Sequence, residues 1–172
     1  MTVSEMEFKS VMGRFPTGVT VVTTCDGDRP AGLTVNAFAS ISLNPPLVMV
    51  SIDRRSHLHD LVQRAGFFAA NILAADQQEL SRRFAGQTSD RNDRFHQTPY
   101  HVGATGAPIL DGAIAHVECR VYAVYPAGDH TIFLGQVEAL GASAGEPLVY
   151  YRARYGSFTA DADAGVAPGR RE

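Results

Sequence analysis

Long apolar runs are missing from this sequence, and none approaches the roughly 20 residues that a membrane-spanning helix needs. The N-terminal segment MTVSEMEFKS also lacks the basic and apolar regions of a secretory signal. Cysteine is scarce, because the chain has only Cys25 and Cys119, and each lies within a predicted strand. We therefore expect a cytoplasmic protein without a membrane partner, whose two cysteines are reduced core residues rather than a disulfide.

Positive charge is not in excess either. The formal net charge is -3 at pH 7, whereas nucleic-acid-binding domains normally present a basic face, so we expect no nucleic-acid partner. With 172 residues, 45% of them hydrophobic and 19% charged, the composition is that of a soluble globular protein. We predict one domain over residues 1–158, followed by a disordered tail over 159–172 that is mostly Ala, Asp, Gly, Pro and Arg.

Several catalytic signatures are absent. The chain has no Gly-x-Ser-x-Gly elbow and no cysteine in a recognisable His-paired context, so nucleophilic catalysis has no support. No Gly-x-Gly-x-x-Gly follows a predicted strand, which argues against a doubly wound dinucleotide fold. There is no Cys-x-x-Cys pair, and His57 and His59 would lie about 200° of rotation apart on a helix, so we predict no metal site. An oxidoreductase built on this chain must therefore hold its cofactor in another way.

Three helix starts are visible in the sequence. Ser4 and Glu7 have the spacing of a capping box, and an apolar stripe follows in Met6, Val11, Met12 and Phe15. Ser56 is placed to cap a second helix, whose stop is Gly66. Asp76 begins an Asp-x-x-Glu pattern that predicts a third.

Strand-forming patterns outnumber these helices. β-Branched or apolar residues run through segments 18–25, 32–38, 47–52, 67–73, 113–125, 131–140 and 148–151. Turn residues at 26–28 and 126–130 join neighbouring segments into antiparallel hairpins. Residues 86–112 are polar, without a sustained period, and we interpret them as a long excursion over the surface. The pattern predicts a mainly β fold with flanking helices, either a barrel or a sandwich.

The stretch from Gly32 to Ser56 is where we predict a ligand site. Its first part alternates apolar with polar residues, and residues 47–52 form a continuous apolar run that predicts a strand covered on both faces. Asp53-Arg54-Arg55 then leads into the helix that Ser56 caps. A strand end, two arginines and a helix N-terminus form a cradle for a phosphate, because backbone N–H groups and guanidinium groups point at the same anion. The alternative is an ordinary strand-to-helix turn with solvated arginines.

His130 is the best remaining residue for chemistry. It follows Gly128 and Asp129 on a turn at the mouth of a strand, where an imidazole can reach both solvent and a ligand. The alternative is a solvated turn histidine, since turns are polar by default.

Six segments, in their order and spacing, resemble the short-chain flavin reductase family: PTGVTVVTT, GLTVNAFASISLNPPLVMVSIDRRS, FFAANIL, LSRRFAG, GAPILDGAIAHVECRV and GDHTIFLGQV. Its members are reductase components of two-component flavin monooxygenases, similar to the 4-hydroxyphenylacetate 3-monooxygenase reductase. The resemblance runs from Phe8 to Phe158 and implies an antiparallel split β-barrel, the FMN-binding split barrel. It also implies bound FMN or FAD, NADH or NADPH as hydride donor, a homodimer, and a partner monooxygenase that receives reduced flavin.

The resemblance also implies roles for individual residues. Those that line the isoalloxazine ring are Thr34, Val35, Asn36 and Ala37. Those along the ribityl chain are Ser40, Ser51, Ile52 and Asp53, and those at the phosphate are Arg55, Ser56 and His57. Phe84 resembles the residue that closes the flavin pocket, and His130 resembles the catalytic histidine on the nicotinamide side, with Tyr155 near it. Relatives often carry hydroxyl residues at the positions of Asn36 and Ala37, which leaves the choice between FMN and FAD open.

The implied reaction asks little of acid or base groups, because the flavin itself accepts the hydride. The protein has to hold the nicotinamide C4 roughly 3 to 3.5 Å from the flavin N5. Two other functions are compatible with the fold, because fold does not determine function. One is a non-catalytic flavin- or haem-binding split-barrel module, and the other is a β-barrel interaction protein that docks through residues 86–112.

Overall fold

The computed structural model of this protein describes residues 3–87 and 94–159, which contain three helices and twelve strands. The helices are α1 (Glu5–Met12), α2 (His57–Ala65) and α3 (Gln78–Phe84). The strands are β1 (Thr17–Gly18), β2 (Thr20–Asp26), β3 (Arg29–Val35), β4 (Phe38–Leu43), β5 (Pro46–Asp53), β6 (Phe67–Ile72), β7 (Tyr100–Val102), β8 (Pro108–Leu110), β9 (Ala115–Ala127), β10 (His130–Ala142), β11 (Leu148–Tyr151) and β12 (Arg154–Ser157). Of the predicted tail, only Thr159 lies within the described residues.

Seven strands form one antiparallel sheet in the order β3-β2-β6-β9-β10-β5-β4. The two edge strands are consecutive in the chain, and only Asn36 and Ala37 separate them. Because the three peptide units from Val35 to Phe38 span at most about 11 Å, the two edges lie close together and the sheet curves back on itself. The predicted antiparallel barrel, mainly β with flanking helices, is therefore confirmed. A three-stranded sheet (β1-β11-β12) and a two-stranded sheet (β7-β8) complete the described fold.

The barrel interior is apolar, and α2 covers one side of it. α2 contributes Leu58 and Val62, which are fully buried because they lie one turn apart on the same helix face. The barrel strands contribute the fully buried Val22, Val50, Ile52, Phe68, Cys119 and Phe133. Burying a side chain of this size stabilises the fold by roughly 1.5–3 kcal/mol, so this cluster is a main source of stability.

Most local signals of the sequence are confirmed. The Ser4 hydroxyl accepts a hydrogen bond from the Glu7 N–H at 3.2 Å, and the Ser4 N–H donates to the Glu7 carboxylate at 3.1 Å. The Ser56 hydroxyl accepts from the Leu58 N–H at 3.2 Å, and α2 stops at Gly66, whose φ of 74° is left-handed. The hairpins β2-β3 and β9-β10 are antiparallel, as predicted. Within the described residues both cysteines are free thiols; Cys119 is buried in the core as predicted, whereas Cys25 is only half-buried.

Two predicted boundaries are wrong. Asp76 lies one residue before the N-cap of α3, which is Gln77, and the Gln77 side chain accepts a hydrogen bond from the Ala74 N–H at 3.0 Å rather than capping the helix. The central strand ends at Val35 rather than continuing to 38, since the chain leaves the sheet there to reach the opposite edge.

The prediction of a surface excursion over 86–112, of which residues 88–93 lie outside the described structure, is also wrong in part. Ile109 and Leu110 in β8 are only 2% exposed, and the Leu110 N–H donates to the buried Asn71 side chain at 2.8 Å. Glu118, another buried group, accepts hydrogen bonds from the Thr105 N–H and hydroxyl at 2.8 and 2.9 Å. These contacts anchor the segment, but a three-residue strand is too short to show a period in the sequence.

α1 is amphipathic as predicted, yet it contributes no buried residue. Its apolar side chains, together with Phe15 just beyond it, are between half and four fifths exposed: Met6, Phe8, Val11, Met12 and Phe15. An apolar surface of this kind is typical of an interface. Among the described residues, no helix combines the length and apolar character needed to cross a membrane.

Candidate active site

The break between β3 and β4 opens onto an apolar groove. Asn36 and Ala37 belong to neither strand and are both exposed. The Ser51 N–H of β5 donates to the Ala37 carbonyl at 3.1 Å, which fixes the position of the break on the barrel. Backbone and amide groups at this break can therefore hydrogen-bond a ligand without breaking the sheet.

The groove beside the break has a volume of about 870 Å³. It is lined by α1 and the segment after it, by the break itself, and by residues of β2, β4, β5, β6 and β11. Its apolar lining comprises Phe8, Met12, Phe15, Phe38, Met49, Ile72 and Tyr150. An apolar groove with a few polar groups at one edge is suited to a flat aromatic ligand such as an isoalloxazine ring.

α3 is fastened directly to β3 behind the break. The Thr34 hydroxyl donates to the Ser81 carbonyl at 2.7 Å, and the Ser81 hydroxyl bonds the Tyr155 hydroxyl at 2.9 Å. Phe84 is fully buried and packs against Gly32, where a Cβ would lie 2.6 Å from the ring. Phe84 therefore supports β3 from inside and does not face the groove in this structure.

The predicted phosphate cradle begins where β5 ends. Ser51 is half-buried and Ile52 is fully buried, so Ile52 offers only its backbone to a ligand. The Arg55 side chain donates to both oxygens of Asp53, at 3.2 and 2.9 Å, and the Arg55 N–H donates at 2.8 Å. These side-chain and backbone hydrogen bonds lower the pKa of Asp53 to about 2. Arg55 is thus already paired, although most of its side chain remains exposed.

Ser56 and His57 lie at the N-terminus of α2, as predicted, and the structure adds Arg94 to them. Arg94 donates to the carbonyls of Gly32 and Phe84 at 3.0 and 2.8 Å. The pKa of His57 is lowered, first by the removal of water around the imidazole and second by the charge of Arg94. Sequence reasoning missed Arg94, because nothing in the spacing of the chain places it beside α2.

His130 lies at the first position of β10, opposite Asp53 of β5. Its Nδ1 is 2.8 Å from Asp129, whose pKa is lowered by this hydrogen bond, and the Arg54 N–H donates to the Asp129 carbonyl at 3.0 Å. Strand pairing and a backbone hydrogen bond thus connect the turn that carries His130 to the predicted phosphate cradle. His59 adds to this link, because its Nε2 is 2.9 Å from the hydroxyl of Thr131.

Two of the predicted site residues lie apart from the others. Tyr155 was expected near His130, but its contacts are with Ser81, Arg82 and Tyr150, on α3 and β11. That expectation is wrong, because β12 pairs with β11 rather than with the strand that carries His130.

Ser40 is the second. It pairs with Val48, which lies five residues before Asp53 on β5, a separation of roughly 16 Å along an extended strand. The structure therefore does not bring Ser40 together with Ser51, Ile52 and Asp53. Among the described residues, no three His, Cys, Asp or Glu side chains are grouped as metal ligands.

This chain is similar in sequence and in structure to known flavin reductases. The family model for the flavin reductase like domain matches residues 12–159. An NADH-dependent flavin reductase from a Rhodococcus species is 42% identical over 91% of this chain and 88% of its own length. The reductase subunit HsaB of a flavin-dependent monooxygenase from Rhodococcus jostii is 36% identical over 90% of this chain and 78% of its own.

A solved flavin reductase structure is also similar to this chain. The NADH:FAD oxidoreductase SgcE6 of Streptomyces globisporus, in complex with NAD and FAD fragments, superposes with a TM-score of 0.86 and 37% identity. The match covers 95% of this chain and 99% of that one. With a family model over most of the chain and a split-barrel relative over nearly its full length, this chain belongs to the flavin reductase like domain family.

Proposed function

We propose that this protein is an NAD(P)H:flavin oxidoreductase that transfers a hydride from a nicotinamide nucleotide to FMN or FAD. The observation that carries the proposal is the exposed break at Asn36 and Ala37, which opens onto the apolar groove of about 870 Å³. The relatives named NADH-dependent flavin reductase and monooxygenase reductase subunit support the same reaction. A partner monooxygenase that takes up the reduced flavin follows from the second of these names.

The residues of the groove fit a flavin. The apolar walls accept the ring system, the backbone at Asn36 and Ala37 meets its polar edge, and the N-terminus of α2 at Ser56 receives the phosphate. The bound flavin supplies the hydride acceptor. The protein therefore binds, orients and shields the reactants, and none of its groups needs to carry a proton in the hydride step. The free Cys25 and Cys119 suit a reducing compartment, so a cytoplasmic location is part of the proposal.

The direct test is the initial rate of NADH oxidation with and without added FMN, FAD or riboflavin. We expect the nucleotide to be oxidised only when a flavin is added. Repeating the assay with NADPH then shows which of the two nucleotides is the preferred donor. A protein that binds flavin in a fluorescence titration but oxidises neither nucleotide would be a non-catalytic flavin module, and the proposal would be wrong.

His130→Ala should lower kcat/KM for NADH roughly tenfold, the effect of losing one hydrogen bond worth about 1 to 1.5 kcal/mol. Asp129 engages Nδ1 of His130, which leaves Nε2 free to bond the nicotinamide carboxamide or ribose. The measurement is a series of initial rates across NADH concentrations at saturating FMN.

The matched control for this prediction is His101→Ala. His101 is another exposed histidine paired with an aspartate, Asp111, but it lies on the β7-β8 hairpin. We expect FMN affinity to stay the same in both variants. Equal kcat/KM for His130→Ala and His101→Ala would mean that His130 is only a solvated turn residue.

The homodimer is a further part of the proposal. The apolar side chains of α1 are exposed, with Met6 at 80% and Phe8 at 60%, and a second copy of the chain is the commonest cover for such a surface. We expect the mass of a dimer in light scattering at micromolar concentration, and a monomer for Val11→Asp. The control Val102→Asp places the same charge on an exposed apolar residue of β7 and should remain dimeric. A parent protein that is monomeric and fully active would contradict this prediction.

A further inference from the structure

His59 is a polar side chain buried in the first turn of α2, where it is only 8% exposed. The other buried residues of this helix, Leu58 and Val62, are apolar. Burying an imidazole costs free energy unless its nitrogens find hydrogen-bond partners, so packing against the barrel does not by itself favour a histidine here. The hydrogen bonds of the ring are therefore the feature that distinguishes His59 from an apolar residue.

Three contacts fix the His59 ring. Its Nε2 is 2.9 Å from the hydroxyl of Thr131 on β10, and its Nδ1 is 2.7 Å from the carboxylate of Asp60. A carboxylate only accepts, so Nδ1 donates to Asp60, and the uncharged ring then accepts the Thr131 hydroxyl at Nε2. The ring also lies edge to face with Phe133, with 5.5 Å between the two centroids. His59 thus joins α2 to β10 through one buried hydrogen bond.

The α2 end of this hydrogen bond lies beside the proposed phosphate position. Ser56 is the N-cap of α2, and the His59 N–H donates to the Ser56 carbonyl at 3.1 Å. The two residues therefore belong to the same first turn of the helix. The proposed phosphate site and the His59 side chain move together, as parts of that turn.

The β10 end of the hydrogen bond lies beside His130. Thr131 is 5% exposed and pairs with the fully buried Ile52 of β5. Successive side chains of a strand point to opposite faces, so the Thr131 hydroxyl points into the barrel while the His130 imidazole points away from it. Fixing the Thr131 side chain therefore fixes the backbone from which His130 projects.

We propose that His59 is a positioning residue for the hydride transfer. Through Thr131 it holds His130 at a fixed distance from the N-terminus of α2, so that the groups that meet the flavin phosphate and the nicotinamide belong to one rigid unit. This inference rests on the proposed function. Because a displacement of about 1 Å can cost roughly two orders of magnitude in rate, a buried hydrogen bond outside the groove can affect catalysis. The alternative is a hydrogen bond that only stabilises the fold.

The test is Thr131→Val, which removes the hydroxyl and keeps the branched shape of the side chain. Thr24→Val is the matched control, because Thr24 is also buried on a strand and its hydroxyl donates to the Phe67 carbonyl at 2.9 Å. Thr24 lies on β2, which is three strands away from β10 in the sheet. Each substitution removes one buried hydrogen bond, so we expect both to lower the urea midpoint by a similar amount.

The kinetics distinguish the two variants. We expect Thr131→Val to lower kcat/KM for NADH roughly fivefold at saturating FMN, with FMN affinity unchanged, whereas Thr24→Val keeps the parental value. Thr131→Ser restores the hydroxyl and should recover most of the loss. His59→Phe keeps an aromatic ring beside Phe133 but loses both hydrogen bonds, and it should cause the same loss as Thr131→Val. Combining these two should cost no more than either one alone, because both remove the same contact.

A second background shows whether the effect acts through His130. In His130→Ala the residue to be positioned is gone. Adding Thr131→Val to this variant should therefore lower the urea midpoint further but cause no further loss in kcat/KM for NADH. A hydrogen bond that only stabilises the fold predicts the same fold-change in kcat/KM in both backgrounds.

Two outcomes would overturn the inference. One is a kcat/KM for Thr131→Val that equals the parental value, and the other is an equal fold loss in the presence and in the absence of His130. A parent protein that oxidises no NADH, or a His130→Ala variant with parental kinetics, contradicts the proposed function instead. The NMR signals of the His130 ring protons, assigned by comparison with His130→Ala, then decide the inference. They should shift in Thr131→Val and not in Thr24→Val, and unshifted signals in both would show that Thr131 does not position His130.

Discussion

Ser56→Asp should weaken FMN binding by about 2 kcal/mol, or roughly 30-fold, while it leaves riboflavin binding unchanged. Ser56 caps α2, and the phosphate is proposed to lie at this helix N-terminus. An aspartate places a carboxylate against the phosphate, and like charges repel. Riboflavin has no phosphate, so it reports on the ring site alone.

Aspartate at position 56 tests phosphate binding more specifically than alanine does. The Ser56 hydroxyl accepts the hydrogen bond of the Leu58 N–H, and an aspartate oxygen can accept the same bond. The helix is therefore still capped, and the midpoint of thermal unfolding should change little. Ser56→Ala would instead remove the cap, at a cost of about 1 kcal/mol in the free energy of unfolding. Equal FMN affinity for Ser56→Asp and the parent would sink the phosphate assignment and favour an ordinary strand-to-helix turn.

A companion variant distinguishes the contribution of Arg55 to phosphate binding from that of the helix N-terminus. Arg55→Ala should reduce FMN affinity less than Ser56→Asp does, because Arg55 already pairs with Asp53 and most of its side chain is in solvent. Exposed ion pairs and charges of this kind contribute little on their own. A larger loss for Arg55→Ala would place the phosphate on the guanidinium side of the cradle.

Gly32→Ala is the second substitution for which we expect a large effect, a loss of roughly 1–3 kcal/mol in the free energy of unfolding. A Cβ at Gly32 would lie 2.6 and 2.8 Å from two ring carbons of Phe84. Phe84 cannot turn aside, because it is fully buried in a cluster with Val21, Leu73 and Leu110. The collision must therefore move β3 or α3.

The same substitution should also weaken flavin binding. Thr34 lies two residues along β3 from Gly32 and donates to the Ser81 carbonyl of α3, so separating strand from helix disturbs the edge of the flavin groove. Urea denaturation and FMN titration of the same protein measure the two effects. Gly156→Ala is the matched control for stability, since a Cβ there would have no heavy atom within 4 Å.

A double substitution tests the physical cause. Phe84→Leu removes ring atoms from the space that the new Cβ needs, so Gly32→Ala with Phe84→Leu should be more stable than the sum of the two single losses predicts. We expect a favourable coupling of about 1 kcal/mol, as for residues in direct contact. Strictly additive losses would show that the two residues do not collide.

Local chemistry was enough to predict much of this chain. The capping box of Ser4, the cap at Ser56 and the stop at Gly66 depend on residues within one helical turn, so their spacing in the sequence contains the whole signal. The hairpins β2-β3 and β9-β10 are equally local, because a short turn determines which strands pair. The six segments that resemble the flavin reductase family also identified the family from the sequence.

Contacts between distant segments could not be read in this way. His59 lies in α2 and Thr131 in β10, and only the folded chain brings them into contact. The family resemblance grouped Ser40 with Ser51 and Asp53, but β4 and β5 are antiparallel and Ser40 pairs with Val48, toward the opposite end of β5 from Asp53. Such outcomes depend on how the sheet curves and on which strands pair, which a local period does not encode.

The sequence alone therefore predicted the three helices, seven of the twelve strands, the capped helix at the proposed phosphate site and the family, because each depends on neighbours in the chain or on a run of matching residues. The tertiary structure decided that α1 leaves its apolar face exposed, that Phe84 supports β3 from within, and that Tyr155 lies with Arg82 rather than with His130. Each of these depends on side chains that meet only after the barrel has closed, so no pattern along the chain contains them.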